Sequence, residues 1–128
     1  MATRVDQDNR GVGKSTLLQR FTDNTYNEFH EPTVGIEFVI RTIEINGQRI
    51  RLQIWDTVRN DSCQAGQEEF VSLARSYYRA SAGVLLVYDI TKRKSFNDVK
   101  RWLDEARFNG HPKMSYILIG NKCDLENE

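Results

Sequence analysis

The chain has 128 residues, with 18 basic and 18 acidic side chains and a formal net charge of zero at pH 7. That length indicates one domain with room for an apolar core. The neutral balance excludes binding driven by bulk charge, to nucleic acid or to an anionic membrane. Residues 1–10 lack the apolar run of a secretory signal, and the longest apolar run, 82–88, is too short to span a bilayer. Cys63 and Cys123 have no metal-site spacing, which predicts reduced thiols in a cytoplasmic protein.

Hydrophobic periodicity predicts strands and helices in alternation. The predicted helices cover 14–22, 68–79 and 95–106, and the predicted strands cover 36–40, 50–54, 83–88 and 116–119. Asn46-Gly47 predicts a two-residue hairpin turn between the first two of these strands. The order indicates an α/β domain whose sheet is mostly parallel, with one antiparallel hairpin at its edge. The apolar stripe of the last helix is assigned to the core: Phe96, Val99, Trp102, Leu103 and Ala106.

Ligands of such sheets bind beyond the C-terminal ends of the strands. Three polar residues follow predicted strands at that edge, namely Asp56, Asp89 and Asn121. We therefore expect the chemistry of this chain to lie there.

A glycine-rich run just before the first predicted helix indicates phosphate binding. Glycines let the backbone curl so that its N–H groups face phosphate oxygens, and the positive end of the following helix faces the same anion. Lys14 is expected to contact the β- and γ-phosphates, and the Ser15 hydroxyl is expected to ligate Mg²⁺. A glycine turn that only caps a helix is the alternative. The predicted phosphate-binding residues are Gly11, Val12, Gly13, Lys14, Ser15 and Thr16.

Two features of the N-terminal stretch depart from a standard phosphate loop. Asp8 stands where the full pattern has glycine, and it would bring a carboxylate near the phosphates. The loop also needs a buried strand before it, whereas residues 1–7 are mostly polar. The sequence therefore predicts a poor first strand.

A second polar motif, NKCD, follows the last predicted strand. The carboxylate of Asp124 can accept hydrogen bonds from the N1–H and the amino group of guanine, a donor pair that adenine lacks. Lys122 can lay its aliphatic stem along the purine face. An ordinary polar turn is the alternative, but the phosphate motif upstream favours the functional interpretation. Asn121, Lys122 and Asp124 are thus predicted to read guanine.

With both motifs in place, the chain from 11 to 125 resembles the Rab-type small GTPases of the Ras superfamily. Five further segments carry the resemblance: EPTVGIEF at 31–38, RLQIWDT at 51–57, AGQE at 65–68, YYR at 77–79 and LVYDIT at 86–91. The resemblance implies a fold of the P-loop small-GTPase type.

The resemblance also implies roles for residues that spacing alone does not assign. Thr33 matches the threonine that ligates Mg²⁺ and senses the γ-phosphate, and Asp56 matches the acid that holds the metal through water. Tyr26 matches the aromatic residue that packs against guanine. Gly66 is expected to contact the γ-phosphate, and Gln67, the implied catalytic residue, is expected to orient the attacking water.

The function implied is a GTP-binding and GTP-hydrolysing switch of vesicle trafficking, with GTP or GDP as ligand and Mg²⁺ as cofactor. Effectors, an exchange factor and a GTPase-activating protein are expected to bind switch regions 24–38 and 56–80. Such proteins are monomers of the cytoplasm that attach to endomembranes through a C-terminal prenyl group. No nucleic-acid partner and no transmembrane segment are expected.

Two departures from the family predict an impaired switch. Seven residues, 58–64, separate two positions that are adjacent in the family, and Gly66 and Gln67 follow directly after them. Valine codons begin with GT and one glutamine codon ends in AG, so a short intron translated in frame would give these residues; a loop insertion that tunes partner choice is the alternative. The family also continues beyond the position of Glu128 with further helices, a strand, a second guanine loop and a prenylated tail. The fold is therefore expected to be incomplete at both ends, and no lipid anchor is expected on this chain.

Two rival functions remain open from sequence. One is a non-catalytic fragment that binds partners weakly or not at all. The other is an adenine-nucleotide enzyme with a phosphate loop, against which the NKCD motif argues.

Overall fold

The computed structural model describes residues 11–26, 36–57 and 75–125, and the backbone of residues 2–4. The strands are β1 (Ala2–Arg4), β2 (Ile36–Ile45), β3 (Gln48–Thr57), β4 (Gly83–Asp89) and β5 (Ser115–Asn121). The helices are α1 (Lys14–Asp23), residues 75–80 (α2) and α3 (Arg93–Asn109), with a 3₁₀ turn at Cys123–Leu125. Predicted strands and helices occur where the periodicity placed them, although the helix predicted over 68–79 lies partly outside the described residues.

The antiparallel hairpin is formed by β2 and β3, ten residues each. Asn46 and Gly47 have φ angles of 51° and 75°, as a type I′ turn requires. Ile45 pairs with Gln48 immediately beside the turn, and the register continues without a bulge to Ile36 and Thr57. The predicted hairpin is confirmed, and both of its strands are longer than predicted.

Strand order in the sheet is β2-β3-β1-β4-β5, and every pairing except that of the hairpin is parallel. The predicted α/β class is thereby confirmed. β1 lies in the middle, with Ala2 beside Trp55 on one side and Val84 on the other. Residues 2–4, within the stretch predicted to make a poor first strand, form this strand of three residues.

The main apolar core lies between β4 and α3. Alternate β4 residues, Val84 and Leu86, are buried against Trp102 and Ala106 of α3. Tyr78 of α2 and Met114 complete this cluster. The sequence placed Trp102 and Ala106 here from their helical spacing, and the structure confirms both.

α3 differs from its prediction in two respects. It begins at Arg93, two residues earlier than predicted, and Ser95 in its first turn is buried. Phe96, assigned to the core stripe, is instead 40 % exposed and packs edge-on against Tyr88. No helix in the described part of the chain has the length and apolar character to cross a membrane.

β5 was predicted to be buried, and that prediction is wrong. Ile117 and Leu118 are each 51 % exposed. Neighbouring strand residues point to opposite faces of a sheet, so each face of β5 is only partly covered by the described residues. Within the described ranges β5 pairs only with β4, which makes it an edge strand.

The short central strand generates a prediction about stability. β1 lies between β3 and β4 in the sheet, yet it comes from the mostly polar stretch 1–7, which is poorly suited to a buried central strand. Each buried backbone group that a poor central strand leaves unpaired costs about 1–3 kcal/mol. Since a domain has only about 5–15 kcal/mol in total, we expect the purified chain to melt broadly at low temperature. Thr3→Val should raise the calorimetric midpoint, whereas Thr42→Val, on the exposed side of β2, should not. A sharp cooperative melt typical of mesophilic domains would contradict this expectation.

Candidate functional site

The loop before α1 has the backbone of an anion-binding turn. Gly11 and Gly13 have φ angles of 81° and 91°, a region that favours glycine. Between them Val12 is buried and packs against Val87 of β4, which fixes the loop to the sheet. α1 begins at Lys14, and among the described residues no side-chain hydrogen bond caps it at Gly13. The first N–H groups of a helix have no partner within the helix, and together with the positive end of the helix dipole they can bind a phosphate.

Lys14 and Ser15 both contact Asp56 at the end of β3. The Ser15 hydroxyl donates a hydrogen bond to Asp56 Oδ2, and the Lys14 ammonium lies 3.9 Å from Oδ1. The Asp56 side chain is fully buried. Burial lowers the pKa of Lys14, and the negative charge of Asp56 offsets only part of that effect. Removal of this ammonium group from water is therefore costly, and an anion at the loop would favour its charged form.

The oxygen atoms at this point fit a Mg²⁺ ion. Mg²⁺ prefers hard oxygen ligands and takes one or two carboxylates together with waters and substrate phosphates. Ser15 and Asp56 offer a hydroxyl and a buried carboxylate in direct contact with each other. Among the residues that the structure describes, no three His, Cys, Asp or Glu side chains gather. A metal held here would take waters and phosphate oxygens in addition to these protein oxygens.

Asn121, the last residue of β5, ties the second motif to the first. Its Nδ2 donates a 2.7 Å hydrogen bond to the carbonyl oxygen of Val12. A methyl group built on Gly13 would collide with the same Nδ2 atom. Glycine is therefore required at position 13 both by its φ angle and by the close approach of Asn121.

The turn after Asn121 presents an exposed carboxylate. Lys122 has a left-handed φ of 65°, and the chain then forms the 3₁₀ turn, closed by a 2.9 Å bond from Leu125 N to Lys122 O. Asp124 is exposed in this turn. Its carboxylate is accessible to hydrogen-bond donors of a ligand.

Asp89, at the end of β4, contacts both Thr91 and Lys122, although the sequence predicted only its place at this edge and no role for it. Its Oδ1 accepts hydrogen bonds from the N–H and the hydroxyl of Thr91, at 3.0 and 2.7 Å. Its Oδ2 lies 2.8 Å from the Lys122 ammonium. Burial alone would raise the pKa of Asp89, but the nearby Lys122 ammonium and the two hydrogen bonds from Thr91 outweigh that effect and hold the pKa below its usual value. The only sequence signal was its position at the end of a strand.

The structure brings most predicted site residues to one edge of the sheet. The loop 11–16, Asp56 and the turn 121–124 meet there through the contacts just described. Tyr26 is 70 % exposed, and within the described residues no ring contact joins it to this edge. Thr33, Gly66 and Gln67 lie outside the described residues.

The site combines a glycine-rich loop at the edge of a parallel sheet, the start of a helix, a lysine, and the neighbouring oxygens of Ser15 and Asp56. These features together define a P-loop nucleotide-binding protein. The family model described as the Ras family matches residues 8–128. The chain belongs to the Ras family, whose members are GTP-binding switch proteins with GTPase activity.

The closeness of Gly13 to Asn121 can be tested against a matched glycine. Gly11→Ala introduces the same unfavourable φ into open space, whereas Gly13→Ala adds a collision with Nδ2. We expect Gly11→Ala to lower the free energy of unfolding by about 1–2 kcal/mol and Gly13→Ala to lower it by about 1–3 kcal/mol more. Asn121→Ala should relieve the additional loss. Equal losses for the two glycine variants, measured by urea unfolding without nucleotide, would show that the contact is unimportant.

Proposed function

We propose that this chain is a Rab-type guanine-nucleotide switch of vesicle trafficking that binds GDP and GTP with Mg²⁺ and hydrolyses GTP slowly. One observation carries the proposal. The hydrogen bond from Asn121 to Val12 joins the phosphate loop to the base-binding motif, so that one ligand can span both. Such a ligand has a phosphate end and a base end.

The phosphate end would lie against the loop and the start of α1. Backbone N–H groups of 11–16 would bind the phosphate oxygens, and Lys14 would neutralise charge on the β- and γ-phosphates. Bound Mg²⁺ would supply positive charge that stabilises the phosphoryl oxygens during transfer. Ser15, Thr33 and Asp56 would hold it, Asp56 through water. The direct contact between Ser15 and Asp56 supports this assignment because it places two oxygen ligands together.

The base end would lie at the turn 121–124. The exposed carboxylate of Asp124 would accept hydrogen bonds from guanine, and the stem of Lys122 would lie along the ring. Tyr26 would cover part of the base from the α1 side. An adenine-nucleotide enzyme is the less favoured candidate, since adenine offers Asp124 no such pair of donors.

The finer family assignment follows from sequence. The segments YYR at 77–79 and LVYDIT at 86–91 resemble those of Rab-type proteins, which supports the proposal. Regulators and effectors bind members of the Ras family in general, and here they would use regions 24–38 and 56–80. The chain would act as a monomer in the cytoplasm.

Base preference is the most direct test of the proposal. Fluorescent GDP titrated into the unmodified chain should bind, and GDP should displace it far better than ADP. Asp124→Asn should shift preference toward xanthosine diphosphate, because xanthine carries an acceptor where guanine has its amino donor. Asp104→Asn, on the exposed face of α3, is the matched control and should change nothing. Equal competition by ADP and GDP excludes guanine recognition, and absence of any binding favours the non-catalytic fragment.

We expect this chain to hydrolyse GTP much more slowly than family members that have no insertion at the position of residues 58–64. The insertion stands directly before the segment that carries Gly66 and Gln67, and a displacement of about 1 Å can cost about a hundredfold in rate. Deletion of 58–64, combined with an apolar β-branched replacement of residues 1–7, should raise the single-turnover rate. Gln67→Leu in that repaired chain should abolish the gain. Rapid hydrolysis by the unmodified chain would contradict the proposed displacement.

A further inference from the structure

Two lysines of this edge face two buried carboxylates, and only one of these pairs belongs to the phosphate site. Asp56 pairs with Lys14 beside the phosphate loop. Asp89 pairs with Lys122 at the base-binding turn, and its carboxylate is fully buried. Because the Asp89 carboxylate is fully buried and lies against the Lys122 ammonium, we expect its effect on a ligand to pass through that lysine.

The backbone around Asp89 is held in place from two sides. Asp89 pairs with Asn121 in the parallel register, and Ile90 N donates a 3.1 Å hydrogen bond to the Asn121 carbonyl oxygen. The buried hydroxyl of Ser95 lies 2.9 Å from the Asp89 carbonyl oxygen and 3.0 Å from its N–H. The start of α3 therefore fixes the end of β4 next to the end of β5.

The carboxylate is oriented as well as anchored. Both hydrogen bonds from Thr91 go to Oδ1, which leaves Oδ2 directed at the Lys122 ammonium at 2.8 Å. Lysine has a long flexible stem whose immobilisation costs conformational entropy. Here the far end of that stem is held before a ligand arrives, while 29 % of the side chain stays exposed.

We infer that Asp89 is a positioning residue of the base-binding turn, which holds Lys122 by its ammonium group so that the lysine stem is ready to cover a purine. The inference rests on the proposed function, since it assumes that the turn 121–124 binds guanine. Asp89 touches neither base nor phosphate. It acts by pre-ordering the one flexible side chain of the turn.

A double-mutant cycle on GDP affinity tests the inference. Asp89→Asn keeps the shape of the side chain and its capacity to accept a hydrogen bond from Thr91, but it removes the charge that holds Lys122. Lys122→Met keeps an apolar stem and removes only the ammonium group. Each single variant should weaken GDP binding about tenfold or more. The double variant should be no more than about twofold weaker than either single variant, because both changes remove the same interaction.

Controls separate positioning from general damage to the fold. Asp104→Asn removes a carboxylate from the exposed ion pair with Lys100 and should leave GDP affinity unchanged. Thermal unfolding without nucleotide should show that each variant is folded at the assay temperature. If Asp89→Asn is not folded, Lys122→Met alone decides, since it leaves the Asp89–Thr91 contacts intact; unaltered GDP affinity in that variant overturns the inference.

The outcomes distinguish this inference from the proposed function. If the unmodified chain fails to bind GDP, both fall together. If it binds GDP and Asp89→Asn binds equally well, the inference alone falls. Losses that add in the double variant also overturn it, because Asp89 would then act without Lys122.

Discussion

The approach of the Asn121 side chain to the backbone at Val12 and Gly13 is the contact on which the site depends. It connects residues 109 positions apart in sequence. The parallel sheet makes it possible, because the ends of β4 and β5 lie side by side with the loop that packs on them through Val12. A side chain at position 13 would break the contact. Gly13 is therefore needed both for the bend of the phosphate loop and for the contact between that loop and the NKCD motif.

The same arrangement, a buried aspartate paired with a lysine, occurs at the ends of two strands. Asp56 lies near the end of β3 and Asp89 is the last residue of β4. The side chains of both are fully buried. An isolated buried charge is costly, and each of these carboxylates has a lysine and at least one hydroxyl as partners. The lysines come from the phosphate loop and from the base-binding turn. The two acids therefore link the sheet to the two segments that a nucleotide would contact.

Local patterns predicted much of this arrangement. Asn46-Gly47 specified its turn because few residues adopt two consecutive positive φ angles. The glycine and lysine pattern of 11–16 gave the phosphate loop, and the alternation of elements gave the sheet class. These features are encoded within a few residues, so sequence reasoning can reach them.

Features that depend on distant neighbours could not be reached in this way. β5 has the composition of a covered strand, yet it lies at the edge of the described sheet and exposes Ile117 and Leu118 on opposite faces. Phe96 has the spacing of a core residue, but it is exposed and packs against Tyr88, whereas its neighbour Ser95 is buried and bonds to Asp89. The ion pair between Asp89 and Lys122 joins residues 33 positions apart, as their numbers show. No local sequence pattern predicts this pair.

The aromatic stack next to Asp56 in sequence gives the chain an intrinsic fluorescence signal. The Trp55 ring lies between Phe38 of β2 and Tyr77 of α2, with both ring centroids at 4.3 Å. An indole held in that way emits according to how β2 and α2 pack against β3, the strand that also carries Asp56. The second indole, Trp102, is 5 % exposed inside the core and responds to unfolding instead. One emission spectrum therefore contains a signal from the edge of the site and a signal from the core.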